Sequence, residues 1–258
     1  MNQSDILQTA LEQSARDYGC APGDFLQPDP KTVLSRQNEG ARVYLPLPLA
    51  CSLVSYGNNV IAQTSEDLLE PVLAFLRRFP PEHCFETPNL YVLNNLLASH
   101  DQTICFMAEY FLPRLERLRP LSCPYPIRLL GPSDFADLYL PQWSNALCDK
   151  RPERDVMAVG AYDGETLVGL AGASADCETM YQIGIDVLPA YRRRGIASAL
   201  TSRLALEILA LGKVPFYCAA WSNLRSVHNA LRSGFSPAWV ETTARARSFV
   251  DSLNAGEG

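Results

Sequence analysis

Residues Ile183–Leu200, IGIDVLPAYRRRGIASAL, decide how this chain is read. An apolar, strand-like run ends at Pro189, Arg192, Arg193 and Arg194 follow, and Gly195 opens a long helical pattern. A strand handing over to a helix in this way gathers the amides of Arg193, Arg194, Gly195, Ile196, Ala197 and Ser198 around one point. Unbonded amides at a helix N-terminus attract an anion, and the three arginines add positive charge beside them. A polyphosphate is the natural guest. Gly195 permits a backbone with φ > 0 and a close approach to phosphate that a side chain would block, and Ala197 is small for the same reason. The spacing Arg192-x-x-Gly195-x-Ala197 is neither the G-x-x-x-x-G-K-[ST] of a triphosphate loop nor the G-x-G-x-x-G of a dinucleotide fold.

Working outward, the 258-residue chain is long enough for two domains of roughly 100–150 residues each. With 47% apolar and 19% charged residues its composition is that of a globular protein. No run of about 18 apolar residues is present, which speaks against a membrane span. The first residues lack the basic and apolar regions of a secretory signal. Eight scattered cysteines without a C-x-x-C pair fit free thiols in a reducing, cytoplasmic setting. His83, His100 and His228 stand at no ligand spacing with those cysteines, so no metal site is expected. A net charge of −6 argues against a nucleic-acid surface. Yet between Val187 and Phe235 the basic residues Arg192, Arg193, Arg194, Arg203, Lys213, Arg225 and Arg232 face Glu207 alone. A basic segment in an acidic chain marks where an anion sits, although a solvated helix face has the same composition.

Periodicity predicts an amphipathic helix from Ser4 or Asp5 to Tyr18, ended by Gly19. Short strands follow at Val33–Leu34, Arg42–Leu45, Ser52–Ser55 and Val60–Ala62. A helix capped by Thr64-Ser65 buries Leu68, Leu69, Val72, Leu73 and Leu76, a second spans Asn89–Ala98, and a strand spans Thr103–Tyr110. His100, Glu109 and Tyr110 are the polar groups of this part that could line a cleft. Four prolines between Pro113 and Pro126 suggest a linker, and the domain boundary is set near Ser122. Beyond it come a strand Ile127–Leu130 and a helical region from Pro132 to Cys148. Strands Asp155–Ala161 and Thr166–Ala173 are joined by an Asp163-Gly164 hairpin turn. Strand Met180–Val187, helix Gly195–Leu211, strand Val214–Ala220, helix Ser226–Ser233 and strand Ala238–Thr242 complete the order. The expected class is α+β: a smaller α+β N-terminal domain over 1–122, and a mixed, mostly antiparallel sheet with flanking helices over 123–258.

The loop Arg192-x-x-Gly195-x-Ala197 resembles the coenzyme A pyrophosphate loop of the GNAT (Gcn5-related) N-acetyltransferase superfamily, Gln/Arg-x-x-Gly-x-Gly/Ala. The order β-α-β-β-β-α-β-α-β extends the likeness from Tyr125 to about Ala246. Asn223-x-x-Ser226, followed by a helix ending in Gly234-Phe235, resembles the family's second signature. The pattern is similar to a bacterial branch, of the zwittermicin-resistance type, in which an N-terminal extension precedes this domain. The resemblance implies a GNAT acyl-CoA N-acyltransferase fold and acetyl-CoA as co-substrate. It implies that Ile185 and Val187 pair through their backbones with the pantetheine arm, with Asn223 and Ser226 beside it. By residue chemistry alone, Asn223 or Ser222 could instead serve as an N-cap.

Acetyl transfer needs a neutral amine, a polarised thioester carbonyl and a proton for sulfur. The family's helix tyrosine corresponds to Ala230 here, and its strand carboxylate to Tyr181. Tyr181, Asp176 and Asp186 are therefore the candidate catalytic residues, with Glu178 near them and Tyr217 as a further proton donor. Asp186 could instead cap or pair with an arginine. The expected activity is direct acetyl transfer to a primary amine of a small molecule. An acyl-CoA-binding sensor without catalysis and a protein or peptide N-acetyltransferase remain open alternatives. The expected partners are a small amine, no nucleic acid and no membrane, in a cytoplasmic monomer or homodimer.

Overall fold

Strand alternation and helical periodicity find their elements in the computed structural model, which describes residues 1–256. In chain order these are α1 (Gln3–Tyr18), β1 (Lys31–Leu34), β2 (Cys51–Ser55), β3 (Ile61–Thr64), α2 (Leu69–Arg78), α3 (Thr87–Ala98), β4 (Gln102–Pro113) and β5 (Ile127–Leu130). Then follow β6 (Asp155–Asp163), β7 (Thr166–Ser174), β8 (Met180–Val187), α4 (Ile196–Ala210), β9 (Val214–Ala219), α5 (Leu224–Arg232), β10 (Phe235–Ala246) and α6 (Arg247–Ala255). The class is α+β, as the sequence predicts. Two compact units share the chain: Met1–Ala10 with Tyr110–Pro237, and Leu11–Glu109 with Ala238–Gly258. They interleave, so the chain passes between them within α1, β4 and β10, whereas the sequence suggests one boundary near Ser122.

In the first unit β5, β6, β7 and β8 form antiparallel neighbours, and β9 joins β8 in parallel. Successive side chains of a strand point to opposite faces, and each face has its own cover. Val159, Ala161, Ala171, Ala173 and Ile183 pack against α4 through Ile196, Leu200, Leu204 and Ile208. Full burial of each of those α4 side chains contributes about 1.5–3 kcal/mol. On the other face, Ala158 and Leu170 pack on Phe135, Trp143, Ala146 and Leu147. That cover is a chain of 3₁₀ turns at Pro132–Asp134, Ala136–Leu138 and Pro141–Trp143, not the longer helical region the sequence suggests. Pro141 lies within this segment, where it would interrupt a continuous helix by removing an N–H donor and crowding the preceding turn.

The segment Pro113–Pro126 is irregular but fixed, so it is no free linker. Arg114 N donates to Gly234 O at 2.8 Å, Ser202 Oγ donates to Arg119 O, and Leu118 is buried. Gly234, with φ of +94°, lies where a Cβ would come within 2.8 Å of Leu118 Cα. Gln3 in α1 bonds both the carbonyl of Pro113 and the amide of Leu115.

The second unit pairs β1 with β3 in parallel, β3 with β2 and β2 with β10 antiparallel. Leu53, Ala62, Val72, Leu76, Leu93 and Leu97 form its core. A buried polar group sits beside it. Arg42 Nη1 is 3.1 Å from Asp17 Oδ2 and 3.6 Å from Glu241 Oε1, and the guanidinium lies 5.6 Å from the Trp239 ring centroid. Gln13 Nε2 and the Arg42 amide both donate to Asp17 Oδ1. Arg42–Leu45 is therefore not the expected strand: the chain there turns so that Arg42 can reach two carboxylates. Removing a partner from such a buried arrangement costs on the order of 3–5 kcal/mol. Helix α6 has no counterpart in the sequence reading.

Gly184 sits where β8 meets the 3₁₀ segment: a Cβ there would overlap the carbonyl oxygen of Asn145. Gly184→Ala is expected to destabilise the protein by on the order of 1–3 kcal/mol, the usual cost of overpacking. Gly23→Ala, where a Cβ meets nothing within 4 Å, serves as the control in thermal melts. Equal melting temperatures for the two variants would contradict this packing.

Candidate functional site

The loop between β8 and α4 passes through two left-handed residues, Arg193 at φ of +64° and Gly195 at +80°. Residues alternating in this way turn successive N–H groups toward one side. Among the described residues, Ala199 N is the first amide of α4 to find a carbonyl, that of Gly195. The amides of residues 193–198 bond to no neighbouring carbonyl, and no side chain caps the first turn. A Cβ built on Gly195 meets nothing within 4 Å, so the glycine answers the backbone angle and keeps the mouth of the loop open. Arg193 pays for its left-handed angle with about 1–2 kcal/mol of strain. Arg194 is already oriented: it donates to Tyr125 Oη at 2.7 Å and to Ala190 O at 3.3 Å, and lies 5.3 Å from the Tyr191 ring. Arg192 Nε donates to Val187 O at 3.0 Å.

β8 and β9 pair only over Met180–Gln182 and Val214–Phe216, and beyond that point the two strands part. Leu188 N donates to Val168 O, which fixes the alternation of β8. Its even-numbered residues bond β7, and the backbones of Ile183, Ile185 and Val187 face the opening. Ile185 and Val187 are thus where the resemblance puts an added, strand-like ligand, although Arg192 holds the Val187 carbonyl.

At the end of β9, Asn223 takes the N-cap role that residue chemistry alone allows. Asn223 caps α5, its Oδ1 accepting from Ser226 N at 3.3 Å. Ser226 Oγ lies 3.0 Å from Tyr217 Oη. Burial pushes the Tyr217 hydroxyl up from its usual value of 10.0, partly opposed by the bond to Ser226, so it is protonated at neutral pH. Ala230 is fully buried beside Tyr217 in the α4-facing core.

The candidate catalytic residues are not brought together. Tyr181 packs with the α4-facing core. Asp186 lies on the opposite face: its Oδ2 accepts from Asn145 N at 2.8 Å and Ala146 N at 3.1 Å, its Oδ1 from Asn145 Nδ2 at 2.7 Å. These bonds fix the 3₁₀ segment to β8. Asp176 is buried on that same face, in the wall of a cavity of about 90 Å³. Of the other polar groups considered, His100 pairs with Asp67 at 2.7 Å and Tyr110 stacks on Phe216.

The sequence reading missed Asp155, which lines the same cavity. Its neighbour Val156 is bypassed in the register, Asp155 standing opposite Ser174 and Met157 opposite Ala173. This bulge turns Asp155 to the cavity side, where strict alternation would have put Val156. Burial raises the Asp155 carboxyl from 3.8 to about 6, against the opposing bond from Cys148 N at 2.8 Å, and nearby Asp176 adds to the rise.

An unfolded chain releases the Asp155 proton before the folded one does. The stability tied to this carboxyl is therefore complete below about 3.8 and lost as pH rises through about 6. Wild-type protein should lose melting temperature relative to Asp155→Asn across that window. A difference between the two that does not change with pH would show that Asp155 titrates as an ordinary carboxylate.

A protein-family model, the acetyltransferase (GNAT) family, matches residues 115–235. No curated protein matches the chain. Among solved structures it is similar to a GCN5-related N-acetyltransferase-like protein from Streptococcus suis, at 17% identity over 62% of this chain and 69% of that one, with a TM-score of 0.45. A GNAT-family acetyltransferase from Colwellia psychrerythraea matches at 14% identity, over 59% and 61%, with a TM-score of 0.43. A GCN5-related N-acetyltransferase from Kribbella flavida matches at 16% identity, over 60% and 63%, with a TM-score of 0.47. The chain thus spans about two thirds of the length of these proteins, and at that overlap they are likenesses only. The family model carries the assignment: residues 115–235 of this chain are a domain of the GNAT acetyltransferase family.

Proposed function

We propose that this protein is an acetyl-CoA-dependent N-acetyltransferase that moves an acetyl group directly to a primary amine of a small molecule. The observation that carries the reading is the run of unbonded amides from 193 to 198 at the head of α4, next to the opening between β8 and β9. A diphosphate fits that cradle, because its oxygens satisfy several N–H groups at once and Gly195 leaves the approach clear. Arg192, Arg193 and Arg194 supply counter-charge. The backbones of Ile185 and Val187, facing the opening, suit an extended amide-bearing arm by strand addition.

The chemistry then divides between the chain's own groups. The Ile185 N–H is a fixed donor for the thioester oxygen, where negative charge develops. The amine nitrogen forms the new C–N bond as the C–S bond breaks, and it gives up a proton. Sulfur gains one. Tyr217, protonated at neutral pH and bonded to Ser226 in the first turn of α5, is the donor this reading selects, in the absence of a hydroxyl at Ala230. Asp186 is left a structural role by its three hydrogen bonds.

Free-thiol release from acetyl-CoA across a panel of small amines tests the reading. Amine-dependent release is expected, and Gly195→Glu should abolish acetyl-CoA binding, since its carboxylate would fill the cradle and repel the diphosphate. Tight acetyl-CoA binding without release for any amine would favour a sensor. Unchanged binding by the Gly195→Glu variant would remove the loop from the account.

A further inference from the structure

The cavity on the face of the sheet away from α4 holds more unsatisfied polarity than a folded chain retains without use. It is lined by Asp155, Ser174, Asp176, Gln182 and Arg151, with the Asn145–Cys148 backbone across from them. Asp176 is 1% exposed, and neither carboxylate oxygen accepts a hydrogen bond among the described residues. The Ser174 hydroxyl is likewise buried without a partner. Arg151 Nε stands 3.2 Å from Asp176 Oδ1, close enough for ion pairing but without hydrogen-bond geometry. Burying a carboxylate without donors is costly, so such groups normally find a partner.

We infer that this cavity seats the primary ammonium group of the acceptor, with Asp176 as its anchor. The inference rests on the transferase reading above and names the class of substrate: a compact amine that arrives as a cation. A primary ammonium has three N–H donors and no acceptor. The Asp176 carboxylate, Ser174 Oγ and Gln182 Oε1 are three acceptors in one wall. Gln182 Nε2 donates to Cys218 Sγ at 3.1 Å. Two carboxylates against one guanidinium leave the cavity negative once Asp155 is ionised, and a monovalent cation restores balance. A divalent metal fits poorly beside Arg151, and no group of three His, Cys, Asp or Glu gathers among the described residues. A volume of about 90 Å³ takes a head group of a few heavy atoms. Gln182 and Gly184 line the cavity on the strand whose intervening backbone, at Ile183, faces the β8–β9 opening. The cavity and the proposed acyl path therefore share one stretch of β8.

Calorimetric titration with propylamine at neutral pH tests this, with 1-propanol as the uncharged match in shape and acetyl-CoA titrated separately. Saturable propylamine binding is expected, with none by 1-propanol. Asp176→Asn should weaken propylamine at least tenfold and leave acetyl-CoA affinity within twofold, which also shows that the variant is folded. Should that variant fail to fold, the contrast between propylamine and 1-propanol in the wild type decides, with Ser174→Ala expected to weaken propylamine several-fold. No propylamine binding, equal binding of the two probes, or an undiminished Asp176→Asn variant would overturn the inference. Propylamine held through Asp176 by a protein that does not bind acetyl-CoA would leave the cavity assigned and refute the transferase reading instead.

Discussion

The site depends on backbone hydrogen-bonding capacity left unspent at one place. Most main-chain amides in a folded protein are bonded, because burying them unbonded is costly. Here the chain leaves β8, turns through two positive φ angles and enters α4 before any side chain can cap it. The amides of 193–198 stay open, and the adjoining edge of β8 stays open as β9 turns away after Phe216. Both openings are braced by what surrounds them. Arg192 ties the loop to Val187, Arg194 ties it to Tyr125 and Ala190, and the fully buried Leu200, Leu204 and Ile208 hold the helix on the sheet.

The two faces of that sheet divide the chemistry. The α4 face is apolar and positions the loop of open amides and the Tyr217–Ser226 pair. The opposite face is partly polar, built by a short segment of 3₁₀ turns that Asp186 fastens by two backbone amides. A carboxylate that looks catalytic on the strand thus bonds this segment, while Asp155 and Asp176 line the cavity beside it. Gly172 and Gly184 allow this, since a side chain at either would collide with the carbonyls of Ala146 or Asn145.

The second unit follows a different economy. Its buried Arg42 stands between Asp17 on α1 and Glu241 on β10, over the Trp239 ring. Residues far apart in sequence meet there, so this group helps to hold the first and last parts of the unit in register. Such an arrangement specifies geometry more than it adds stability, given what it costs to take charges out of water.

Local signals in the chain determined most of the elements and the turn that leads into α4. Asp163-Gly164 forms a turn with φ of +60° at the glycine, α4 buries the residues its spacing marks, and Gly195 adopts the left-handed angle that only a glycine takes readily. These depend on neighbours within a few residues, and the sequence carries them directly. Three things were decided by tertiary structure alone. The bypass of Val156 rotates Asp155 into the cavity, Asp186 meets Asn145 and Ala146 some forty residues away, and the chain passes three times between its two units. Each turns on strand register or on long-range pairing, where a shift of one residue exchanges the two faces of a strand. No local pattern of side chains records that choice, because both registers satisfy the same periodicity until the rest of the chain packs against one of them.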